Sequence, residues 1–177
     1  MSFLAAGTAR TGCRGKGLIM NDYTIRRAER DDIPAVSRLL YQVQKVHSDA
    51  RPDLFRAGGR KYTDDQLEGI FSDENTPVFV CVKDGCMVGY AFCIHRQIKD
   101  STSLTDIKTL YIDDLCVDGA ARGAHIGRAL YDYVVGYARE CGCYNVTLNV
   151  WADNTDAVGF YEHIGMKVQR IGMEKLL

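Results

Sequence analysis

Between Leu110 and Glu140 the chain changes its hydrophobic period within a few residues, and this constrains the fold more than any other feature. Leu110 to Val117 is an apolar run interrupted by two adjacent carboxylates, Asp113 and Asp114. A small-residue loop from Gly119 to Gly127 follows and contains Arg122. Beyond it, Ile126, Leu130, Tyr133, Val134, Tyr137, Ala138 and Cys141 recur at the spacing of one face of a helix. The segment therefore reads as strand, glycine-bearing loop and helix. At a helix N-terminus the first backbone N–H groups lack partners inside the helix, and the positive end of the dipole adds to them, so a bound anion is favoured there. An ordinary strand-to-helix turn of an α/β domain shows the same pattern.

A chain of 177 residues suits one domain whose core needs no disulfide or metal staple. Apolar residues make up 46% and charged ones 25%, the balance of a soluble globular protein. The formal net charge is −1, so no global field draws the chain to nucleic acid or to an anionic membrane. No run approaches the roughly 20 apolar residues of a membrane span. The cysteine count is odd, at 7, and no Cys-x-x-Cys occurs. Most of the cysteines sit in strand-like runs, which points to reduced structural thiols in a reducing compartment, the cytoplasm, and away from zinc or another metal. Residues 1–21 carry Arg10, Arg14 and Lys16 and no acid. An organellar transit peptide has that composition too, but a disordered tail or a non-native extension ahead of Met20 is the expectation for residues 1–20, with a single domain over 21–177.

Taken in order, Tyr23–Arg27 alternates as a first strand. Asp31 or Asp32 can cap a helix with Pro34 in its first turn, and Ile33, Val36, Leu40, Val43 and His47 mark its inner face. Periodicity is lost from Ser48 to Tyr62, a long loop whose Arg51, Arg56, Arg60 and Lys61 could meet an acidic substrate or simply face solvent. Thr63 or Asp64 caps a second helix with Leu67, Ile70 and Phe71 inward. Asp84-Gly85 joins the strands Val78–Val82 and Cys86–His95 as a hairpin. Ile107–Val117 is a long strand and Asn145–Val150 another. Asn154 opens a helix that Gly165 ends, and Met166–Gln169 and Ile171–Leu176 read as terminal strands. Strands and helices intermix, which gives an α/β or α+β class with a mixed sheet flanked by helices.

The loop after the long strand is neither of two common phosphate loops. A P-loop requires Gly-Lys-Ser/Thr, and no lysine lies between Gly119 and Gly127; the dinucleotide fingerprint is broken at Gly123-Ala124-His125. Arg122-Gly123-Ala124-His125-Ile126-Gly127 after Leu115-Cys116-Val117 instead resembles the Gln/Arg-x-x-Gly-x-Gly/Ala loop of the GNAT superfamily of N-acetyltransferases, with His125 where the family commonly has glycine. Asn154, Ala157, Phe160, Tyr161, Gly165 and Met166 are separately similar to that family's Asn-x-x-Ala-x-x-Phe-Tyr-x-x-x-Gly-Phe. The resemblance covers residues 23–177.

The resemblance implies a GNAT-like fold, a splayed mixed β-sheet flanked by helices, with acetyl-CoA as cosubstrate and no metal. It implies that the backbone of Leu115, Cys116 and Val117 pairs with the pantetheine arm. It places the pyrophosphate on Arg122, Gly123, Ala124, His125, Ile126, Gly127 and Arg128. Asn154 and Phe160 are assigned to the arm, and Tyr161 to the thioester sulfur, where a phenol of pKa about 10 can protonate a departing thiolate. A core aromatic with its hydroxyl at the edge is the plain alternative for Tyr161.

Alternation along a strand sends Asp113 and Asp114 to opposite faces. Burying a carboxylate in a central strand is costly, so one of them is expected to face a cavity. Tyr111-Ile112-Asp113-Asp114 also resembles the polyamine-acetylating branch, which implies Asp113 as the base; Asp114 remains the second candidate, and a structural pair the plain reading. Cys116 as an acyl-carrying nucleophile is a third route, with nothing visible to lower its pKa. The expectation is acetyl transfer to a primary amine, either a small cationic amine or a peptide amine, by direct attack in a ternary complex. A non-catalytic CoA-binding regulatory or interaction domain is the rival. Neither nucleic acid nor membrane is expected as a partner, and a homodimer is compatible with the sequence.

Overall fold

The computed structural model describes residues 18–20 and 22–177. Six strands line up in the order β1 (Leu18–Met20), β2 (Tyr23–Arg27), β3 (Val78–Lys83), β4 (Cys86–Gln97), β5 (Lys108–Val117) and β6 (Asn145–Leu148). The pairs from β1 through β5 are antiparallel. β5 reaches β6 through helix α3 (Ile126–Glu140), the crossover that a parallel neighbour needs. β1 lies inside the stretch read as an extension; the rest of that stretch falls outside the described residues.

Each element has a local cause. Asp84 and Gly85 both adopt positive φ, 50° and 74°, as the tightest hairpins require. Thr63 caps α2 (Asp64–Ser72): its side chain accepts from the Gln66 N–H, and the Gln66 side chain accepts from the Thr63 N–H. Helix α1 (Ile33–Ala50) runs past His47, where the apolar period fades, so the expected loop starts only at Arg51. Lys45 and Asp49, one turn apart and paired at 2.8 Å, support that extra turn.

The sheet is covered on both faces over β3 and β4. On one face Val78, Val80, Tyr90 and Phe92 meet Val36, Leu39, Leu40 and Leu67 of α1 and α2. On the other, Phe79 packs edge-on against Tyr133 and Tyr137 of α3, with ring centroids 5.1 and 4.9 Å apart. Gly89 is required by this layering. A Cβ there would lie 2.8 Å from the Cys116 carbonyl oxygen and 3.0 Å from Leu130 Cδ1.

Two compact units divide the chain, one ending at Thr147 and the other running from Leu148 to Leu177. The second contains α4 (Thr155–His163), whose N-cap Asn154 accepts from the Ala157 N–H at 3.3 Å. Gly165, at φ 93°, turns the chain out of the helix. The expected terminal strands are absent: residues 166–177 form neither helix nor strand, and Ile171 and Met173 are 80% and 94% exposed. An alternating apolar pattern becomes a strand only when a neighbour supplies the ladder. β6 also stops at Leu148, two residues short of expectation.

Candidate acetyl-transfer site

Asp113 interrupts the β4–β5 ladder. Phe92 pairs with Asp114 and Cys93 with Ile112, which leaves Asp113 without an opposite residue. That is a β-bulge, and a bulge places two consecutive side chains on one side of the sheet. The expectation of opposite faces is therefore corrected. Both carboxylates belong to the α1/α2 face, around Phe92, whose ring lies 5.4 Å from Tyr62 and 5.1 Å from Tyr90.

Each carboxylate has its own tyrosine. Tyr62 Oη donates to Asp113 Oδ2 at 2.7 Å, and Tyr90 Oη donates to Asp114 Oδ2 at 2.9 Å. Lys61 Nζ donates to the same Asp113 Oδ2 at 2.7 Å and to the Asp113 backbone oxygen at 3.2 Å. Loss of water around Asp114 raises its pKa, against the opposing charge of Lys61 and the Tyr90 hydrogen bond. Burial, with the bond to Asp113 second, raises the Tyr62 phenol. Burial and then the Asp114 charge push the Cys116 thiol up to about 12. Such a thiol stays protonated at neutral pH, so Cys116 is not poised as a nucleophile.

Three of the four basic loop residues are paired within the chain. Arg60 bonds Ser37 and Asp64, Arg51 bonds Asp53, and Lys61 bonds Asp113. Tyr62 and Tyr90 were missed by sequence reasoning. Tyr90 stands two residues before Phe92 in an apolar strand and looks like core; Tyr62 sits in an aperiodic stretch. Only the pairing across the bulge brings them to the two carboxylates.

Beyond β5, Asp118 accepts from the Ala120 N–H and from Arg38, which fixes the exit of the strand. Arg122, Gly123, Ala124 and His125 are exposed, and Gly123 has φ 81°. His125 is the N-cap of α3 at φ 58°, with no side-chain capping bond. Its left-handed backbone explains why a glycine would suit this position. The first turn begins at buried Ile126 and Gly127, and its N–H groups point out of the helix end uncapped by a side chain. Arg128 is turned to Asp132 at 2.7 Å. On the far edge of β5, β6 supplies four residues and starts beside Lys108 and Thr109. Leu115, Cys116 and Val117 close β5, paired on its other edge with Ala91, Tyr90 and Gly89 of β4.

In the second unit, Asn154 spends its side-chain oxygen on the cap of α4. Phe160 and Tyr161 pack edge-on at 5.1 Å, and the Tyr161 carbonyl accepts from the Met166 N–H at 3.0 Å. Tyr161 is half-buried.

Residues 41–166 match the model of the acetyltransferase (GNAT) family. This chain is a member of the GNAT family. It is similar to an uncharacterized N-acetyltransferase, MJ1207, of Methanocaldococcus jannaschii, at 24% identity over 86% of this chain and 64% of the relative. A glucosamine 6-phosphate N-acetyltransferase of Arabidopsis thaliana is 32% identical over 38% of this chain and 44% of its own length. The chain thus spans less than two thirds of these curated relatives. Among solved structures, a tetramutant of the BH1408 protein of Bacillus halodurans superposes with a TM-score of 0.83 at 30% identity, over 86% of this chain and 99% of that one.

The GNAT fold expected from the two motifs is thus the fold present, with a mixed sheet flanked by helices. Among the described residues no group of three or more His, Cys, Asp or Glu side chains could hold a metal. No described helix is long and apolar enough to cross a membrane. Cys81, Cys86, Cys93 and Cys116 are outside any disulfide.

Proposed function

We propose that this GNAT protein transfers the acetyl group of acetyl-CoA to a primary amine by direct attack in a ternary complex. The observation that carries the reading is the bulged Asp113, a carboxylate held by Tyr62 and Lys61 midway along β5. A protonated amine cannot attack a carbonyl, so the acceptor needs such a base. The uncapped N-terminus of α3 supports a phosphate-bearing cosubstrate, because its N–H groups and dipole suit an anion.

In this reading Asp113 takes the proton of the acceptor ammonium, directly or through one water. Backbone N–H groups of β5 near Cys116 hold the developing oxyanion. Arg122 to Gly127 cradle the pyrophosphate, with Arg128 drawn off to Asp132 unless the pair opens. Asn154 and Phe160 contact the arm, and Tyr161 gives a proton to the leaving thiolate. Residues 21–177 act as one acetyltransferase domain in a reducing cytoplasm, in keeping with the buried, unbridged thiols of Cys81, Cys93 and Cys116. Asp114, with its raised pKa and its bond from Tyr90, tunes the charge beside Asp113.

Cationic small amines and peptide amines both fit an acidic acceptor site. The test is release of free CoA thiol from acetyl-CoA over a panel of primary amines, with product mass spectrometry. Turnover with at least one amine is expected. Tight CoA binding without turnover on any member would favour the rival, a non-catalytic CoA-binding regulatory domain.

A further inference from the structure

We propose that Lys61 is a self-acetylation site, because its ε-amine stands where an acceptor amine must stand. The proposal rests on Asp113 being the base of an acetyl transfer, as above.

A base takes a proton only from an amine within hydrogen-bond reach, roughly 2.6–3.2 Å, or one water away. Lys61 Nζ meets that condition at 2.7 Å from Asp113 Oδ2. The nitrogen also donates to the Asp113 backbone oxygen at 3.2 Å. Tyr62 Oη, on the same Oδ2 at 2.7 Å, fixes the carboxylate from a second direction. One bulge residue therefore holds the ammonium by both its side chain and its backbone. The lysine side chain is 40% exposed and the aspartate 18%, so the amine stands at the mouth of the site. Leu115, the first residue assigned to the pantetheine arm, is two residues along the same strand, about 7 Å away. The segment from Arg51 to Thr63 that carries Lys61 has neither helix nor strand, and a lysine stem is flexible enough to adjust over such a span.

Lys45 and Lys108 lack this setting. Lys45 pairs with Asp49 on an exposed helix face, with both side chains more than 60% exposed. Lys108 donates to the backbone oxygen of Cys141.

The step balances without a further reagent besides acetyl-CoA. The Lys61 ammonium gives a proton to Asp113, and the neutral amine attacks the thioester carbonyl carbon. A C–N bond forms, the C–S bond breaks, and CoA leaves as a thiolate that takes up a proton. The acetamide carries no charge, so the ion pair is lost and Asp113 is released to an external ammonium.

The test is full-length protein incubated with acetyl-CoA alone, followed by peptide mass spectrometry. Lys61 is expected to be acetylated at least tenfold faster than Lys45, at a rate independent of protein concentration. Asp113→Asn should slow Lys61 at least tenfold and leave Lys45, which reacts only chemically, unchanged. Should Asp113→Asn fail to fold, Tyr62→Phe is the substitute, with a several-fold slowing expected because the carboxylate loses a fixing bond. Equal rates at Lys61 and Lys45, indifference to these substitutions, or a rate that rises with protein concentration would overturn the proposal. The amine panel is run in parallel. Turnover there with unmodified Lys61 removes only this inference; no turnover and no acetylated Lys61 removes the acetyltransferase reading as well.

Discussion

Asp113 and Asp114 hang from the same side of β5, each bonded to its own tyrosine, at 2.7 and 2.9 Å. Asp113 has the Lys61 ammonium on its Oδ2 at 2.7 Å and Asp114 has no such partner. Loss of water around Asp114 raises its pKa, with the Asp113 charge adding to it, against the charge of Lys61 and the Tyr90 hydrogen bond.

That asymmetry sets a sign for Asp114→Asn. An acid whose folded pKa lies above its unfolded value makes the fold bind the extra proton, so stability falls as pH rises from the unfolded value through the folded one. Above that window the charged form is a standing cost. The amide keeps an oxygen for Tyr90 and removes the charge. The variant should melt above the parent at pH 7, and the gap should close as the pH is lowered toward 4. A lower melting point at pH 7, measured by calorimetry, would mean that the Asp114 charge stabilises the fold.

Tyr161→Phe removes one hydroxyl and little volume. Proton transfer by a positioned side chain is worth roughly 10²–10⁴-fold. Turnover should drop by that order while CoA affinity, followed by thermal shift, is retained. Unchanged turnover returns Tyr161 to the role of a packed aromatic beside Phe160.

The loop ahead of α3 offers a pair of opposite substitutions. Gly127→Glu puts bulk and negative charge among the free N–H groups of the first turn and should abolish the melting shift induced by CoA. His125→Gly relieves a left-handed side-chain clash worth about 1–2 kcal/mol and adds unfolded-state freedom of about 0.5–1 kcal/mol. The first exceeds the second by about 0.5–1 kcal/mol, so stability should hold or rise slightly and the CoA-induced shift should persist. Retained CoA response in folded Gly127→Glu would move the phosphate elsewhere.

His95 predicts an acid limit for the fold. Its ring nitrogens face the Tyr137 hydroxyl at 3.1 Å and the Cys143 sulfur at 3.9 Å. Burial first, and then the charges of Lys108 and Arg27, push its pKa down to about 4. Between about 4 and the ordinary value near 6.5, the unfolded chain binds a proton that the folded chain does not. Stability should therefore fall as pH drops through that interval. His95→Gln, which can still reach Tyr137, should flatten the dependence in chemical denaturation series at pH 7 and pH 5. An identical slope in the variant would assign the acid sensitivity to other groups.

Local patterns carried much of this architecture. The Asp84-Gly85 turn, the Thr63 cap and the apolar stripe of α3 are signals local to one stretch of chain, and each formed where its chemistry said it would. The terminal strands failed because pairing is a property of two segments and only one of them was being read. The acidic pair was misjudged for a related reason. Alternation assumes an unbroken ladder, and nothing within Tyr111–Cys116 announces that Phe92 and Cys93 will skip Asp113. Tyr62 and Lys61 reach that residue across more than fifty positions of sequence, a juxtaposition that no spacing rule encodes.

The skipped residue also gives the strand a spare part. Thr109 and Tyr111 share a side with Asp114 and Cys116, so odd positions before the bulge correspond to even positions after it. Removing one residue from a central strand normally turns half of it inside out. Excising Asp113 would instead bring Ile112 and Asp114 together opposite Cys93 and Phe92, in regular register from end to end. The shortened protein should fold, with a straighter β5, and lack acetyl transfer. The sheet's arithmetic closes without Asp113, which leaves that residue as a surplus in the strand.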